Sequence, residues 1–413
     1  MLEKFFIPET AERLRSCLFG AQVDAFCASL TGLGYAHRTI EEKLRTVERL
    51  SRWMVAKHLT IGALDEHCAR EFSNAERRAA RERRGGRATA LQLVAQLREV
   101  EVLPTPELVC DSSPTGTLLG CYEVYLRSER AVVETTISGY RPFVRAFIEE
   151  RLDRGAARPG SLCPNDVRDF LLARVRRMAP KRGQYMATAM RSFLRFLFLR
   201  GETETDLALA IPTVRQWRLS SVPRHMSERD VERLLRACDL SCATGRRDHA
   251  VLLLLARLGL RASEVVKLEL GDLRWRAGEV VVRGKGLVRD HLPLLPDVGE
   301  ALALYLKKDR PPNSCRRVFL CRRAPHRGFA HPSTVSTIVA RALDRAGLAP
   351  AMRGAHLLRH SLATTMVRRG ASLSEIGQVL RHRSPNTTEI YTKLNFDALR
   401  DVAMPWPTAG GAR

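Results

Sequence analysis

The chain has 413 residues, enough for about two to four domains, and a formal net charge of +23 from 68 Lys and Arg against 45 Asp and Glu. That charge draws it to polyanions, of which an anionic membrane fits least, because no run reaches about 18 uninterrupted apolar residues. The start, MLEKFFIPETAERL, has no apolar run followed by a cleavage signal, and the 10 cysteines include no C-x-x-C. The reading is a cytoplasmic chain with reduced thiols and neither a disulfide framework nor a zinc site.

Residues 1–22 read as an N-terminal extension with one amphipathic helical pattern, Ala11, Leu14, Cys17 and Leu18. Residues 23–103 and 116–207 are helical in pattern throughout, and they look alike. Thr39-Ile40, Val47 and Leu50 match Thr136-Ile137, Val144 and Phe147. Leu64, Arg70 and Phe72 match Leu162, Arg168 and Phe170, and Ala88-Thr89-Ala90 matches Ala187-Thr188-Ala189. The offsets of 97, 98 and 99 form one drifting alignment, which points to an internal duplication. Residues 104–115 and 208–226 carry the Pro, Ser and charged residues of linkers. Arg77, Arg78, Arg81, Arg83, Arg84 and Arg87 fit either a solvated helix end or a phosphate-contacting segment. Arg174, Arg176, Arg177, Lys181 and Arg182 precede a helix expected over 184–199. Cations at a helix start oppose its dipole, which favours phosphate contact for this second run.

Residues 227–395 form one further domain. HAVLLLLARL, 249–258, is apolar nearly all round and reads as a buried helix ended by Gly259, with Arg261 following in GLRASE. EVVV, 279–282, and VRDHLPL, 288–294, read as strands flanking a Gly-rich hairpin turn. Lys285 sits at its tip, and alone it reads as a solvated turn lysine. In HLLRHSLATTM, His356 and Arg359 share a helix face while Leu362, Met366 and Val367 supply the apolar side. Gly370 ends that helix. Ser372 with Glu375 reads as a capping box for the next, whose Ile376, Val379 and Leu380 are expected to form its buried stripe. Ser384-Pro385 breaks it, Asn386 with Glu389 repeats the cap signal, and Tyr391 falls on a short helix nine residues after His382.

GLRASE, HLLRHSLATTM and LRHRSPNTTEIY, with Arg261, Lys285, His356, Arg359, His382 and Tyr391 in this order, resemble the tyrosine recombinases, the phage integrase family. The resemblance covers about 116–395. It implies a mainly α fold with a small antiparallel β-sheet, in which tandem helical DNA-binding domains precede a catalytic domain. It implies DNA cleavage and rejoining without metal or cofactor through a 3′-phosphotyrosyl intermediate, serving integration, transposition or recombination. Tyr391 would attack, Arg261 and Arg359 hold the phosphate, and His356 and His382 donate hydrogen bonds, His356 also being a candidate base. Lys285 would protonate the leaving 5′ oxygen. The residue types suit the task. A phenol of ordinary pKa is about 4 kcal/mol short of a ready nucleophile at pH 7, and planar guanidinium forks meet two phosphate oxygens at once. The implied partners are double-stranded DNA and further copies of the chain, a dimer on a site and a tetramer in the synaptic complex.

A type IB topoisomerase and a non-catalytic DNA-binding protein of the same fold are the alternatives. The tandem helical domains and the HLLRHSLATT segment favour a recombinase, and a pure binder has no use for Tyr391. A metal nuclease is disfavoured, since no paired carboxylates accompany the histidines. Arg381 departs from the family's usual glycine, which leaves the local helix geometry open, and Leu287, Val288, Arg289 and Asp290 replace the Lys and Arg often found after the hairpin glycines. His360 reads as a packing residue or a partner behind the site, and Glu264 as one that orients it. In the tail, 396–413, Phe396, Leu399 and Val402 share one helical face and are expected to dock on a neighbouring protomer.

Overall fold

The computed structural model describes residues 1–78, 85–104, 113–153, 159–213, 223–284 and 288–394. The first helical region comprises α1 (Pro8–Arg15), α2 (Gly20–Gly32), α3 (His37–Ala56), α4 (Glu66–Arg78) and α5 (Gly86–Glu99). In α3, Ile40, Leu44, Val47, Leu50 and Met54 recur at helical spacing, and all are buried. The residues read as an extension supply Leu2, Ala11, Leu14 and Phe19 to this same core. Their amphipathic stripe closes the bundle.

The second helical region comprises α6 (Pro114–Ser128), α7 (Glu134–Ile148), α8 (Pro164–Val175) and α9 (Pro180–Leu199). Proline at the first helical position opens α6, α8 and α9, where its missing N–H costs nothing. Helix α9 begins at 180, so Lys181 and Arg182 lie inside its first turn rather than before it. The core is aromatic: Tyr122 packs edge-on to Phe193 and Phe147 edge-on to Phe170.

The two regions repeat one pattern of packing. Helices α2–α3, α2–α5, α3–α5 and α4–α5 touch in the first, and α6–α7, α6–α9, α7–α9 and α8–α9 in the second. Buried positions recur at an offset of 97 in the second helix pair, as in Ile40 and Ile137, Val47 and Val144, Leu50 and Phe147. Phe72 and Phe170 differ by 98. In the last pair, burial matches Ala90 with Ala187, Leu93 with Met190 and Leu97 with Leu194. That offset is again 97. The alignment of Ala88-Thr89-Ala90 with Ala187-Thr188-Ala189 is therefore two residues out of register. Short Ala and Thr residues carry too little pattern to set a helical register.

The C-terminal region holds α10 (Glu228–Arg236), α11 (Ala243–Arg257), α12 (Ala262–Lys267), a sheet, α13 (Pro296–Lys308), α14 (Pro332–Arg345), α15 (Ala355–Arg368) and α16 (Leu373–Val379). The sheet is antiparallel, in the order β1 (Leu273–Arg274), β2 (Glu279–Arg283), β3 (Arg289–Pro293). Val282 pairs with Asp290 and Arg283 with Arg289 at the hairpin end. The two-residue β1 is too short to show an alternating pattern. Helix α11 is buried on every side, with Ala250 to Ala256 all in the main core. A second, smaller cluster gathers Ala363, Val367, Ile376, Leu380 and Tyr391.

Residues Met1–Pro104 and Ser221–Arg413 form one compact unit, and Thr105–Ser220 a second. Within the first unit the His326 N–H donates to the Leu33 carbonyl at 3.1 Å.

Candidate active site

The site begins where α11 runs out. Gly259 takes φ +58, the left-handed conformation that glycine adopts without a Cβ penalty. A Cβ there would stand 2.8 Å from Leu380 Cδ2 and 3.0 Å from Leu362 Cδ2, so packing demands glycine as well. The turn delivers Arg261 to the start of α12. Its backbone N–H donates to Glu264 Oε2 at 2.8 Å and its Nη1 to Oε1 at 2.7 Å. The carboxylate three residues on thus caps the helix and holds the guanidinium at once.

Helix α15 supplies the next groups. Arg359 is only 4% exposed, and its Nη1 and Nη2 donate to the carbonyls of Gly259 and Leu380. One side chain so joins the end of α11 to the end of α16. Burial, then Arg261 and Arg381, lower its pKa to about 10, and it remains charged at pH 7. His356 is exposed at the first turn, with its ring centroid 6.3 Å from that of His360.

His360 departs from its expected place. Its Nδ1 lies 2.8 Å from the Tyr391 hydroxyl. The spacing of His356 and His360 by four residues was the available signal, because it puts both on one helix face. Tyr391 is 1% exposed, on the 3₁₀ segment Glu389–Leu394. Burial raises its phenol to about 12, and Arg359 opposes this only in part. Burial, followed by His356, Arg359 and His225, lowers His360 to about 4. His382 is brought to about 4 by burial and then by Arg359, Arg261, His360 and Arg381. Its Nδ1 meets the Thr388 hydroxyl at 2.8 Å. Both rings are therefore neutral at pH 7.

Arg381 keeps the geometry that its departure from glycine left open. It follows the end of α16 at φ +55, in the glycine-favoured region, while its side chain is only 6% exposed. Its Nη2 donates to Glu264 Oε2 at 2.8 Å and its Nη1 to the Val379 carbonyl at 3.2 Å. Its Nε lies 3.9 Å from Asp290 Oδ2 of β3. Glu264, 5% exposed, is shared between Arg381 and Arg261. Burial alone would raise its pKa, but Arg381 and the donors of Arg261 outweigh this and hold it below the usual value. Arg261 and Arg381 on Glu264, with Arg359 nearby on backbone carbonyls, leave the pocket cationic, which suits a phosphate.

Arg261, Arg359, His382 and Tyr391 are thus gathered around the ends of α11, α15 and α16, with His356 beside His360. Lys285 lies outside the described residues, as do Arg81, Arg83, Arg84, the side chain of Arg78 and the tail from 395. Arg77 and Arg87 are exposed, on α4 and in the first turn of α5, and Arg77 Nη2 donates to Asn74 Oδ1 at 3.2 Å. Arg176, Arg177, Lys181 and Arg182 are exposed between α8 and α9 and on the first turn of α9. Arg174 instead pairs with Glu150 at 2.6 Å and stacks over Phe170. Among the described residues, no group of three or more His, Cys, Asp or Glu is placed to hold a metal ion, and no helix is long and apolar enough to cross a membrane.

The phage integrase family model matches residues 224–398. An integrase/recombinase of Sinorhizobium fredii, y4rA, is 42% identical over 92% of this chain and 93% of its own length. A second from the same organism, y4rF, is 33% identical over 100% and 97%. The tyrosine recombinase XerD of Mycobacterium tuberculosis is 31% identical over 68% and 94%. Among solved structures, XerH site-specific recombinase bound to a palindromic difH substrate, a post-cleavage complex, aligns with TM-score 0.56 and 16% identity over 95% of each chain. A lambda integrase tetramer bound to a Holliday junction aligns with TM-score 0.51 and 17% identity over 80% of this chain and 90% of that one.

Proposed function

The chain belongs to the phage integrase family and is a tyrosine-type site-specific recombinase, and from that premise we propose that it cuts and rejoins double-stranded DNA through a 3′-phosphotyrosyl link at Tyr391. The observation that carries this reading is the buried phenol of Tyr391 set in the field of Arg359. A buried phenol of pKa about 12 is roughly 7 kcal/mol short of phenolate at pH 7. Attack therefore needs groups that stabilise charge as it develops. Arg261 and Arg359 would hold the non-bridging phosphate oxygens, where a preorganised donor is worth about 3 to 4 kcal/mol. With the Thr388 hydroxyl donating to Nδ1, neutral His382 would keep its Nε2–H for a phosphate oxygen. His356, at the exposed rim, would donate a further hydrogen bond. Lys285 would protonate the 5′ oxygen as it leaves, and a 5′ hydroxyl from a second strand would reverse the step.

The relatives support the assembly. XerH is bound to its substrate and lambda integrase forms a tetramer on a Holliday junction, so we propose a dimer on each site and a tetramer in the synapse. The exposed arginines and lysines of both helical regions would contact phosphates, the tail would dock on a neighbour, and the protein would work in the cytoplasm.

The test is covalent trapping. A duplex selected from random sequence for binding to this chain, nicked near the scissile phosphate, is incubated with the protein and run on a denaturing gel. The wild type should form an adduct and Tyr391→Phe should bind without forming one. The adduct should also survive EDTA, because guanidinium and ammonium groups take the role a cation would have. An adduct retained in Tyr391→Phe would refute the nucleophile assignment.

A further inference from the structure

We propose that His360, rather than His356, is the catalytic base that takes the phenol proton of Tyr391 as the hydroxyl attacks phosphorus. This rests on the reading of Tyr391 as nucleophile. The carrying observation is the 2.8 Å contact between Nδ1 and the phenol oxygen, within reach for direct proton transfer. A buried hydroxyl must donate somewhere, and this ring is its partner. The rings lie 5.8 Å apart and are tilted at 57° rather than stacked.

Helix geometry holds the base in place. His360 lies on α15 with Arg359, so the proton acceptor and a proposed phosphate clamp share one rigid element. The His360 carbonyl accepts from Thr364 Oγ1 at 2.8 Å, one turn on. The groups bearing on the ring are His356 and Arg359 from its own helix, His225 from the segment before α10 and His382 just after α16. None is an anion. Together with burial they keep the imidazole neutral, so its Nδ1 lone pair is available to the phenol. His356 is exposed at the helix start.

The step balances. The Tyr391 oxygen forms a bond to phosphorus as the bond from phosphorus to the 5′ oxygen breaks. The phenol proton passes to His360 Nδ1, giving an imidazolium, and the 5′ oxygen takes a separate proton from the acid. In rejoining, His360 returns its proton to the departing Tyr391 oxygen. Before DNA arrives the proton stays on the phenol, because the phenol is the far weaker acid of the pair. It moves only as bonding to phosphorus drains charge from the oxygen.

The test uses the full chain and the nicked duplex described above, in single-turnover adduct formation, with Tyr391→Phe alongside. His360→Asn puts an amide oxygen close to the place of Nδ1, so it still accepts the phenol hydrogen bond but cannot take the proton. The expected result is cleavage slowed about a hundredfold or more, with duplex binding unchanged and the residual rate rising with pH as hydroxide substitutes. His356→Asn should slow cleavage less. A His360→Asn rate within about threefold of wild type overturns the proposal, because a positioning contact would be rescued by asparagine. An adduct that persists in Tyr391→Phe instead overturns the nucleophile reading. If His360→Asn does not fold, ring-nitrogen NMR decides the contact. One histidine Nδ1 resonance should move between wild type and Tyr391→Phe, and unmoved spectra overturn the proposal.

Discussion

The start of α15 and the surface of the first helical region treat charge in opposite ways. At the start of α15, Arg359 is 4% exposed and the neighbouring Glu264 5%, and both have partners fixed by the fold. On α3, the side chain of Arg38 is 91% exposed and that of Arg52 71%, their partners being the side chains of Glu42 and Glu48 one turn away. Taking an arginine out of water costs several kcal/mol unless its N–H groups find acceptors. An exposed arginine costs little, and an exposed pair contributes about 0 to 1 kcal/mol. The difference teaches where to look. A count of arginines points to a polyanion partner, and the few that are buried mark the site proposed for the chemistry.

Arg359→Lys breaks the comparison where it is strongest. A single ammonium cannot serve the carbonyls of Gly259 and Leu380 as the two guanidinium arms do. Cleavage should fall about a hundred- to a thousandfold in single-turnover assays, with a lowered Tm. Wild-type cleavage by the lysine variant would show that its burial serves packing alone.

Acid should next expose the buried histidines. His360 and His382 stay neutral in the fold down to about 4, while in the unfolded chain they take up protons below about 6.5. The unfolded state thus binds more protons between those values, and stability falls as pH drops through that window. Urea denaturation across it should show the decline, reduced in His382→Asn.

Arg381→Gly sharpens the contrast within the site itself. Glycine suits φ +55, relieving roughly 1 kcal/mol of backbone cost, but Glu264 loses the partner that most lowers its pKa. The stabilisation from ionised Glu264 is present above its unfolded value and is lost as pH falls through its lower folded value. In Arg381→Gly that loss should begin at higher pH, and cleavage should drop about tenfold as Arg261 loosens. Unchanged acid unfolding would mean that Arg261 alone holds Glu264.

Arg87→Ala tests the other side and should have the smallest effect. Its side chain is exposed at the start of α5, so stability should shift by less than about 0.5 kcal/mol. If it contacts a phosphate, the slope of log affinity against log salt falls by about 0.9. An unchanged slope would remove Arg87 from the DNA surface.

Much of this was legible in the chain. The apolar run 249–258 identified α11, the Ser372–Glu375 capping box fixed the start of α16, and the two strand segments flanking the glycines pair antiparallel. The first 22 residues were harder to place, because one amphipathic stripe does not name the surface it covers. The drift to an offset of 99 in the duplication came from small residues whose identity matched although Thr89 is buried and Thr188 exposed, and Ala88 exposed and Ala187 buried.

The amino-acid sequence by itself determined the helices, their caps and apolar faces, the order of reactive residue types, and the basic character that selects a polyanion. These follow from interactions within a turn or two of chain, which periodicity and capping residues report. Tertiary structure alone decided which histidine meets the phenol, that Glu264 is shared by Arg261 and Arg381, and that Arg359 spans two helix ends. Arg359 reaches Gly259 across 100 residues and Arg381 reaches Glu264 across 117. Such contacts depend on how separate helices pack, and no local pattern encodes which of two neighbouring histidines will face the ring brought against them.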